Sequence, residues 1–426
     1  MSGADGFGGT QARAGTGRHA LAPPTDGPLL PAPAQLLRRP RRQGSLRFTV
    51  LVAVLLFVGA VAMALVLLAS NAPQALVVGV VLASLPVGPV VAAYLWLDRY
   101  EPEPIPLLVT AFGWGAVVAT AAALVLQLLD QTIFGTSASL TAATVAPVTE
   151  ELAKGLFIVL LLWLRRSDID GVLDGIVYAG MVGVGFAFTE NILYLGGAYT
   201  GVDHGPGGLG AATDLFVVRG IFSPFAHPLF TSLTGIGIGV AVVTRRPFWR
   251  VAAPLLGYAG AVLAHASWNA SSFIAGGHLF VATYLVAMVP AFLLFVGFAV
   301  WARTSEGRML TRSLSDCADR GFLAHVEVPW LVRLRARRAC RRTARSLGGR
   351  RAQRVMREYQ QQAVELGFLH DRYLRGTAPD DFVQRGSAMV LRLQALRPYV
   401  RFPRHAGSAS GTGAPGSDAP EWEGGR

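Results

Sequence analysis

The sequence predicts an all-α protein, a polytopic membrane helix bundle of about eight transmembrane helices followed by a cytoplasmic helical tail. Three observations support this fold class. The chain of 426 residues is 52% hydrophobic and 15% charged, which is too apolar for an ordinary soluble protein. Its apolar residues are gathered in runs of about 20 residues, the length that spans a bilayer. Arginines recur in alternate connections between these runs, as in membrane proteins with a fixed orientation.

Eight apolar runs are long enough to cross the hydrocarbon core as helices. They divide the chain into four predicted regions: a disordered N-terminus rich in Arg, Pro and Gly (1–47), the transmembrane domain (48–302), an arginine-rich cytoplasmic helical region (303–403) and a disordered tail (404–426). In the helical region, the helical spacing of apolar and arginine residues fits both a small helical bundle and a membrane-surface amphipathic helix. The predicted spans are 48–70, 75–97, 105–129, 140–164, 171–195, 219–244, 251–275 and 279–301.

The arginines between the spans predict the orientation. If the eight spans cross the membrane in alternating directions, the connections that contain arginine all fall on one side. The connections on the opposite side, 71–74, 130–139 and 196–218, contain neither lysine nor arginine. Positively charged connections stay in the cytoplasm. We therefore expect a multi-pass protein of the cell membrane with both termini in the cytoplasm. The arginines that set this orientation after the first span are Arg99, Arg165, Arg166, Arg245, Arg246, Arg250, Arg303 and Arg308.

The net charge of +12 comes mainly from arginines outside the apolar runs. This charge favours contact with the anionic lipid bilayer over nucleic-acid binding, so no nucleic-acid partner is expected. The two cysteines, Cys317 and Cys340, both lie in the arginine-rich region and indicate neither a disulfide framework nor a thiolate metal site. Nothing in the sequence specifies an oligomeric state.

Strongly polar residues inside four of the spans predict a functional site. The chain has a single lysine, Lys154, and it lies one helical turn after Glu150 and Glu151 in an otherwise apolar run. A charge at the centre of a span costs about 3 kcal/mol or more, so such residues are usually functional. The polar groups are Glu150, Glu151 and Lys154 in the fourth span, Glu190 and Asn191 in the fifth, His227 and Thr231 in the sixth, and His265 and Asn269 in the seventh.

The predicted topology brings these four groups to one depth. Each falls in the outer half of its span, whichever way the span runs, which indicates one shared site in the outer leaflet. Residues four apart face the same side of a helix, as Glu150 and Lys154 or His265 and Asn269 do. Lys154 is interpreted as a structural partner that keeps one carboxylate ionised. Arg219, at the outer edge of the sixth span, is interpreted as an interfacial residue.

Carboxylates and imidazoles around a water-accessible pocket support two kinds of hydrolysis. They can bind a divalent metal ion that activates water. Without a metal, a glutamate can act as general base while Asn or His donors stabilise an oxyanion. The HExxH spacing of common zinc proteases is absent. The same buried Glu and His cluster also fits an ion-coupled membrane transporter, in which it would form a proton relay or a cation site.

Short motifs, taken in order, resemble those of the PrsW family of intramembrane proteases. EELAK at 150–154 is similar to the family's EExxK motif, FAFTE at 186–190 to its FxxxE motif, and HASWN at 265–269 to its final HxxxN/D motif. AHPLFT at 226–231 resembles an additional histidine segment of the family. The layout is related to that of the CAAX-protease and bacteriocin-immunity proteins. The resemblance covers about 48–301 and leaves the N-terminus and the arginine-rich region unexplained.

The resemblance implies a membrane-embedded endopeptidase that cleaves a single-span membrane protein, such as an anti-sigma factor, near the extracytoplasmic face. It implies a metal-dependent mechanism with Zn²⁺ as the expected metal, although the related families also allow glutamate-dependent hydrolysis without a metal. The implied catalytic residues are Glu150, Glu151 and Asn269, and the implied metal ligands are Glu190, His227 and His265.

Overall fold

The computed structural model describes residues 45–70, 72–201, 205–272 and 279–403, and regular secondary structure within these ranges is helical. The two segments predicted to be disordered lie outside the described residues, except for 45–47. The helices, labelled in chain order, are α1 Leu46–Ser70, α2 Pro73–Leu97, α3 Ile105–Phe134, α4 Ala146–Leu164, α5 Val172–Thr200, α6 Gly208–Phe216, α7 Ala226–Val243, α8 Pro247–Ser271, α9 Leu279–Asp319, α10 Val328–Val332, α11 Leu334–Leu374 and α12 Phe382–Leu396.

Seven stretches of helix in the described part of the chain are long and apolar enough to cross a membrane, which confirms the all-α membrane bundle. They are α1, α2, α3, α5, α6 together with α7, α8 and α9. The remaining predicted span corresponds to α4, which is 19 residues long but carries Glu150, Glu151 and Lys154. The three charges that predicted a functional site therefore also distinguish α4 from these seven stretches.

Proline and glycine set several of the helix ends. Pro73 is the first residue of α2, a position where its missing N–H is not needed. Gly135 and Gly201, with φ of 66° and 76°, end α3 and α5 in the left-handed conformation that favours glycine. The predicted sixth span is interrupted after residue 222, because Pro224 cannot donate a helical hydrogen bond and crowds the preceding turn. His227 is consequently the second residue of α7 rather than lying two turns into a continuous helix.

The central helix of the bundle is α5, whose most apolar stretch is 83% buried, against 17% for that of α2. Glycines let the neighbouring helices approach it closely. A Cβ atom at Gly185 would lie 1.9 Å from the main-chain oxygen of Phe112 in α3, and one at Gly183 would lie 2.7 Å from Cα of Pro228 in α7. Close packing on both sides thus fixes the part of α5 that leads to Glu190.

The last span continues into the C-terminal region without a break. Helix α9 runs through the predicted boundary at 302 and ends at Asp319. At about 1.5 Å per residue it is about 60 Å long, twice the thickness of the hydrocarbon core, so much of it stands outside the membrane. There it packs with α10, α11 and α12 around buried residues such as Leu314, Val355 and Leu396. We call this packed group of helices the C-terminal bundle.

Two of the arginine-containing connections contact the C-terminal bundle. Nη1 of Arg337 in α11 donates to the main-chain oxygen of Tyr100, which lies between α2 and α3, at 3.0 Å. The guanidinium of Arg245, between α7 and α8, packs directly against Gly376 after α11. These connections therefore lie on the same side of the transmembrane helices as the C-terminal bundle.

Buried carboxylates lie at the same end of the transmembrane helices. Asp98, at the end of α2, accepts a hydrogen bond from the main-chain N–H of Glu103 at 2.8 Å, and burial raises the pKa of Asp98 to about 8. Burial, with a smaller contribution from Asp174, raises the pKa of Asp170 to about 7, although Arg372 opposes this shift. Both acids therefore hold protons more tightly in the folded chain than in the unfolded chain.

Candidate active site

One face of α4 presents three charged side chains, all of them buried. Their spacing of three and four residues brings Lys154 next to both glutamates. Its Nζ donates to Oε2 of Glu150 at 3.3 Å and to Oε1 of Glu151 at 2.8 Å, and it lies 3.7 Å from the ring centroid of Phe186 in α5. The Lys154 side chain has no exposed surface, so protein groups alone balance its charge.

His265 of α8 reaches the same two carboxylates. Its Nδ1 lies 3.1 Å from Oε1 of Glu151, and its Nε2 lies 3.7 Å from Oε2 of Glu150. Glu151 is further held by Thr231, whose hydroxyl donates to Oε2 at 3.0 Å. Because an ionised carboxylate can only accept hydrogen bonds, the hydrogen-bond network assigns the proton of His265 to Nδ1. Its Nε2 then presents a lone pair on the Glu150 side.

His227 of α7 uses its two ring nitrogens in the opposite sense. Its Nε2 lies 2.6 Å from Oε2 of Glu190, and its Nδ1 lies 3.1 Å from Nζ of Lys154. Because the ammonium can only donate, Nδ1 is the acceptor and the proton is assigned to Nε2. The rings of His227 and His265 are 5.0 Å apart. Each imidazole thus directs its N–H at a carboxylate, as metal-binding histidines usually do, while the second nitrogen of His227 is engaged by Lys154.

Glu150, His227 and His265 form a buried group that could hold a metal ion. One ligand atom from each residue lies within 4.8 Å of the other two. Zinc binds nitrogen and oxygen ligands at about 2.0–2.2 Å, which sets tetrahedral ligands about 3.4 Å apart. Side-chain shifts that release Glu150 and His227 from the Lys154 ammonium would complete the site. The donor set therefore fits a metal. Glu190, which the motifs imply as a ligand, lies outside this group, and His227 and Arg219 engage its Oε2.

Comparisons with known proteins match part of this chain to a protease family. A family model described as PrsW family intramembrane metalloprotease matches residues 103–295, the range that contains every candidate site residue. Protease PrsW of Geobacillus kaustophilus is 28% identical over 172 residues, which are 40% of this chain and 70% of that protein. Protease PrsW of Bacillus subtilis is 28% identical over 163 residues, which are 38% of this chain and 68% of that protein. Residues 103–295 of this chain match the PrsW family.

The match identifies residues 103–295 as the part of the chain that resembles a multi-pass intramembrane metalloprotease, and the helical bundle agrees with this assignment. The match ends before the second half of α9, so the C-terminal bundle lies outside the part of the chain that the family model covers. No solved structure matches the chain significantly.

A polar pocket of about 230 Å³ adjoins the metal-binding group. The Glu190 side chain is 15% exposed, against 7% for Glu150 and none for Glu151, so it is the most accessible of the three carboxylates. Arg219 holds Glu190 in place through Nη2 and donates from Nε to Oδ1 of Asn191 at 2.6 Å. The polar residues that line the pocket are Glu190, Asn191, Tyr194, Arg219, Ser223, His227, Asn269 and Ser272.

Asn269, from the last of the PrsW-like motifs, joins α8 to the turn before α4. Its Nδ2 donates to the main-chain oxygen of Ala142 at 2.9 Å. It also lines the polar pocket, one helical turn after His265. That Asn269 stabilises an oxyanion stays a prediction, and its position at the pocket wall is compatible with this role.

The site lies far from the C-terminal bundle. Glu150 is 14 residues before the end of α4, and His265 is 18 residues after the start of α8. Both of those helix ends carry the arginine-containing connections. At about 1.5 Å per residue, the two side chains are about 21 and 27 Å from that side of a hydrocarbon layer about 30 Å thick. The site is therefore in the half of the membrane that is farther from the C-terminal bundle.

Two contacts of the PrsW-like site were missed from the sequence. Arg219, interpreted there as interfacial, binds Glu190 and Asn191. Nε2 of Gln127 in α3 donates to Oε1 of Glu150 at 3.3 Å. Both residues had a signal in the sequence. Arg219 lies in an apolar segment on the side of the membrane that otherwise lacks basic residues, and Gln127 is a single amide in an apolar run.

Proposed function

We propose that this protein hydrolyses peptide bonds of a single-span membrane protein in the extracytoplasmic half of the membrane, with Zn²⁺ bound by Glu150, His227 and His265. The observation that carries the proposal is the convergence of these three buried residues, from three helices, within 4.8 Å. Buried ionisable groups at membrane depth are costly and are kept where function needs them.

Glu151 and Glu190 orient the two histidines in this proposal. Each carboxylate accepts the N–H of one imidazole, Glu151 from His265 and Glu190 from His227. Such carboxylate–histidine pairs fix the tautomer and raise the basicity of the ligand nitrogen. The proposal therefore gives Glu150 the ligand role that the motifs imply for Glu190, and it gives Glu151 a positioning role instead of a catalytic one.

Glu190 is also the most accessible of the three carboxylates for moving protons. It opens on the polar pocket, where water and a substrate carbonyl can reach it. A zinc ion, when bound, lowers the pKa of water to about 7 and polarises a carbonyl. Glu190 accepts the proton of the attacking water, the new C–O bond forms, and the proton then passes to the amide nitrogen as the C–N bond breaks. Asn269 and Arg219 supply N–H donors for the carbonyl oxygen.

The orientation in this proposal rests on the arginines. The connections that contact the C-terminal bundle are arginine-rich, and such connections stay in the cytoplasm. The site, in the other half of the membrane, then faces the extracytoplasmic side. The family resemblance extends the proposal to an anti-sigma factor as the substrate.

Metal analysis of the detergent-purified protein tests the ligands. We expect about one zinc per chain, the stoichiometry of a single catalytic site, and its loss in His265→Ala and Glu150→Gln. His325→Ala is the matched control, because His325 lies outside the membrane with 60% of its side chain exposed. Folded Glu150→Gln and His265→Ala proteins that keep full zinc content would contradict the ligand set.

Cleavage of membrane-anchored reporters tests the reaction. A panel of single-span reporters is co-expressed with the wild-type chain or with Glu150→Gln, and the products are mapped by mass spectrometry. We expect products only with the wild-type chain, cut in the extracytoplasmic half of the span. Ion-coupled flux through the reconstituted protein, with no product from any reporter, would favour a transporter instead.

A further inference from the structure

An apolar groove lies between α7, α8 and α9. Its volume is about 490 Å³, and none of the described residues that line it is charged. Leu233 of α7 and Ala264 of α8 form one wall, and Ala287, Ala291 and Phe295 of α9 form the other. The metal-binding group does not use this groove.

The helix that forms the outer wall is loosely attached to the rest of the membrane domain. Only 6% of the most apolar stretch of α9 is buried, against 83% for α5. Its firm contacts are aromatic: Phe292 stacks on Phe225 with 3.9 Å between ring centroids, and the hydroxyl of Tyr284 donates to the main-chain oxygen of Phe222 at 3.0 Å. Between these contacts and the C-terminal bundle, the groove opens towards lipid.

Two aromatic residues connect the groove to the candidate active site. Trp268 lines both the groove and the polar pocket that contains Glu190. Phe230 lines the groove on one face and stacks on the ring of His265 on the other, with 5.1 Å between centroids and 20° between planes. One layer of aromatic rings thus separates the apolar groove from the metal-binding group.

We infer that this groove binds the membrane-spanning segment of the protein substrate, an inference that rests on the proposed function. The apolar lining suits the Leu, Val and Phe side chains of a transmembrane helix. The polar pocket on the other side of Trp268 favours a polypeptide over a lipid, because a lipid acyl chain brings no amide bond to Glu190 at that depth. Binding in the groove places the apolar segment on α9 and the adjoining main chain in the pocket.

Site-specific photocrosslinking tests the occupant independently of cleavage. Ala291→p-benzoylphenylalanine places the photoreactive group in the groove, and Ala282→p-benzoylphenylalanine, at an exposed position of α9 that lines neither cavity, is the matched control. Both are made in full-length Glu150→Gln protein in lipid nanodiscs. The probe is a synthetic peptide with a leucine–alanine core of about 20 residues, enough to span the bilayer.

The peptide adduct is expected to form about tenfold more at Ala291 than at Ala282, a preference of about 1.4 kcal/mol. Ala287→Trp, one turn away on the same wall, should fill the groove and abolish that preference. Equal peptide yields at both positions, or phospholipid adducts alone at Ala291, would overturn the inference. A specific peptide adduct with no cleavage of any reporter by the wild-type chain would instead count against the proposed function and leave the groove assignment standing.

Discussion

Replacing Lys154 by methionine is expected to destabilise the protein by about 3–5 kcal/mol, the cost of removing one partner from a buried ion pair. The Lys154 side chain has no exposed surface, and its ammonium lies 2.8 and 3.3 Å from two carboxylates and 3.1 Å from an imidazole nitrogen. Methionine keeps most of the aliphatic volume, so little of the cost comes from packing. The loss arises because Glu150 and Glu151 are left buried without their cation.

A double-mutant cycle isolates this electrostatic effect. Glu151→Gln removes one of the carboxylates that Lys154 balances, so the double variant should be more stable than the sum of the two single effects by roughly 1–3 kcal/mol. The free energy of unfolding is measured by chemical denaturation in detergent micelles with a chelator present. Arg320→Met, which removes a half-exposed arginine of the C-terminal bundle, should change stability little. Additive effects in the cycle, or a Lys154→Met protein as stable as the wild type, would refute the reasoning.

Gly185→Ala should destabilise the protein by about 1–3 kcal/mol in the same assay, because the new Cβ would lie 1.9 Å from the Phe112 main-chain oxygen. Gly88→Ala is the control and should change stability little, because a Cβ at Gly88 would meet open space. The pKa of Asp98 is raised from 3.8 to about 8, so its stabilising contribution is complete below about pH 4 and is lost as the pH rises through about 8. The free energy of unfolding, plotted against pH across this range, should fall less steeply for Asp98→Asn than for the wild type. The same slope in both proteins would contradict the raised pKa of Asp98. Arg219→Gln should lower kcat by roughly tenfold or more, since a preorganised donor is lost, while zinc content stays at the wild-type level.

The helical membrane fold could be predicted from the sequence because crossing a bilayer imposes both the length and the apolar composition of each helix. Two features of the same helices could not be predicted from the sequence. The break before α7 depends on Pro224, and proline is tolerated inside many transmembrane helices. The continuation of α9 past residue 302 follows a change from apolar to amphipathic residues, and helical periodicity is the same on both sides of that change.

The members of the candidate site were more predictable than their pairing. The cost of burying charge singled out Glu150, His227 and His265, which the structure brings together. Which imidazole nitrogen meets which carboxylate depends on how α7 and α8 are rotated about their axes, and residue spacing within one helix does not specify this. For that reason the geometry favours Glu150 as a ligand where the motifs imply Glu190.

The single lysine of the chain also determines the net charge of the site. Three ionised glutamates contribute −3 and Lys154 with Arg219 contributes +2, so the sum is −1 when both imidazoles are neutral. A divalent cation changes this sum to +1. Peptide hydrolysis develops a negative charge on the carbonyl oxygen, and the proton that Glu190 accepts from water keeps the total at +1. In a medium of low dielectric constant, the positive charges of the site therefore attract the developing oxyanion more strongly than they would in water.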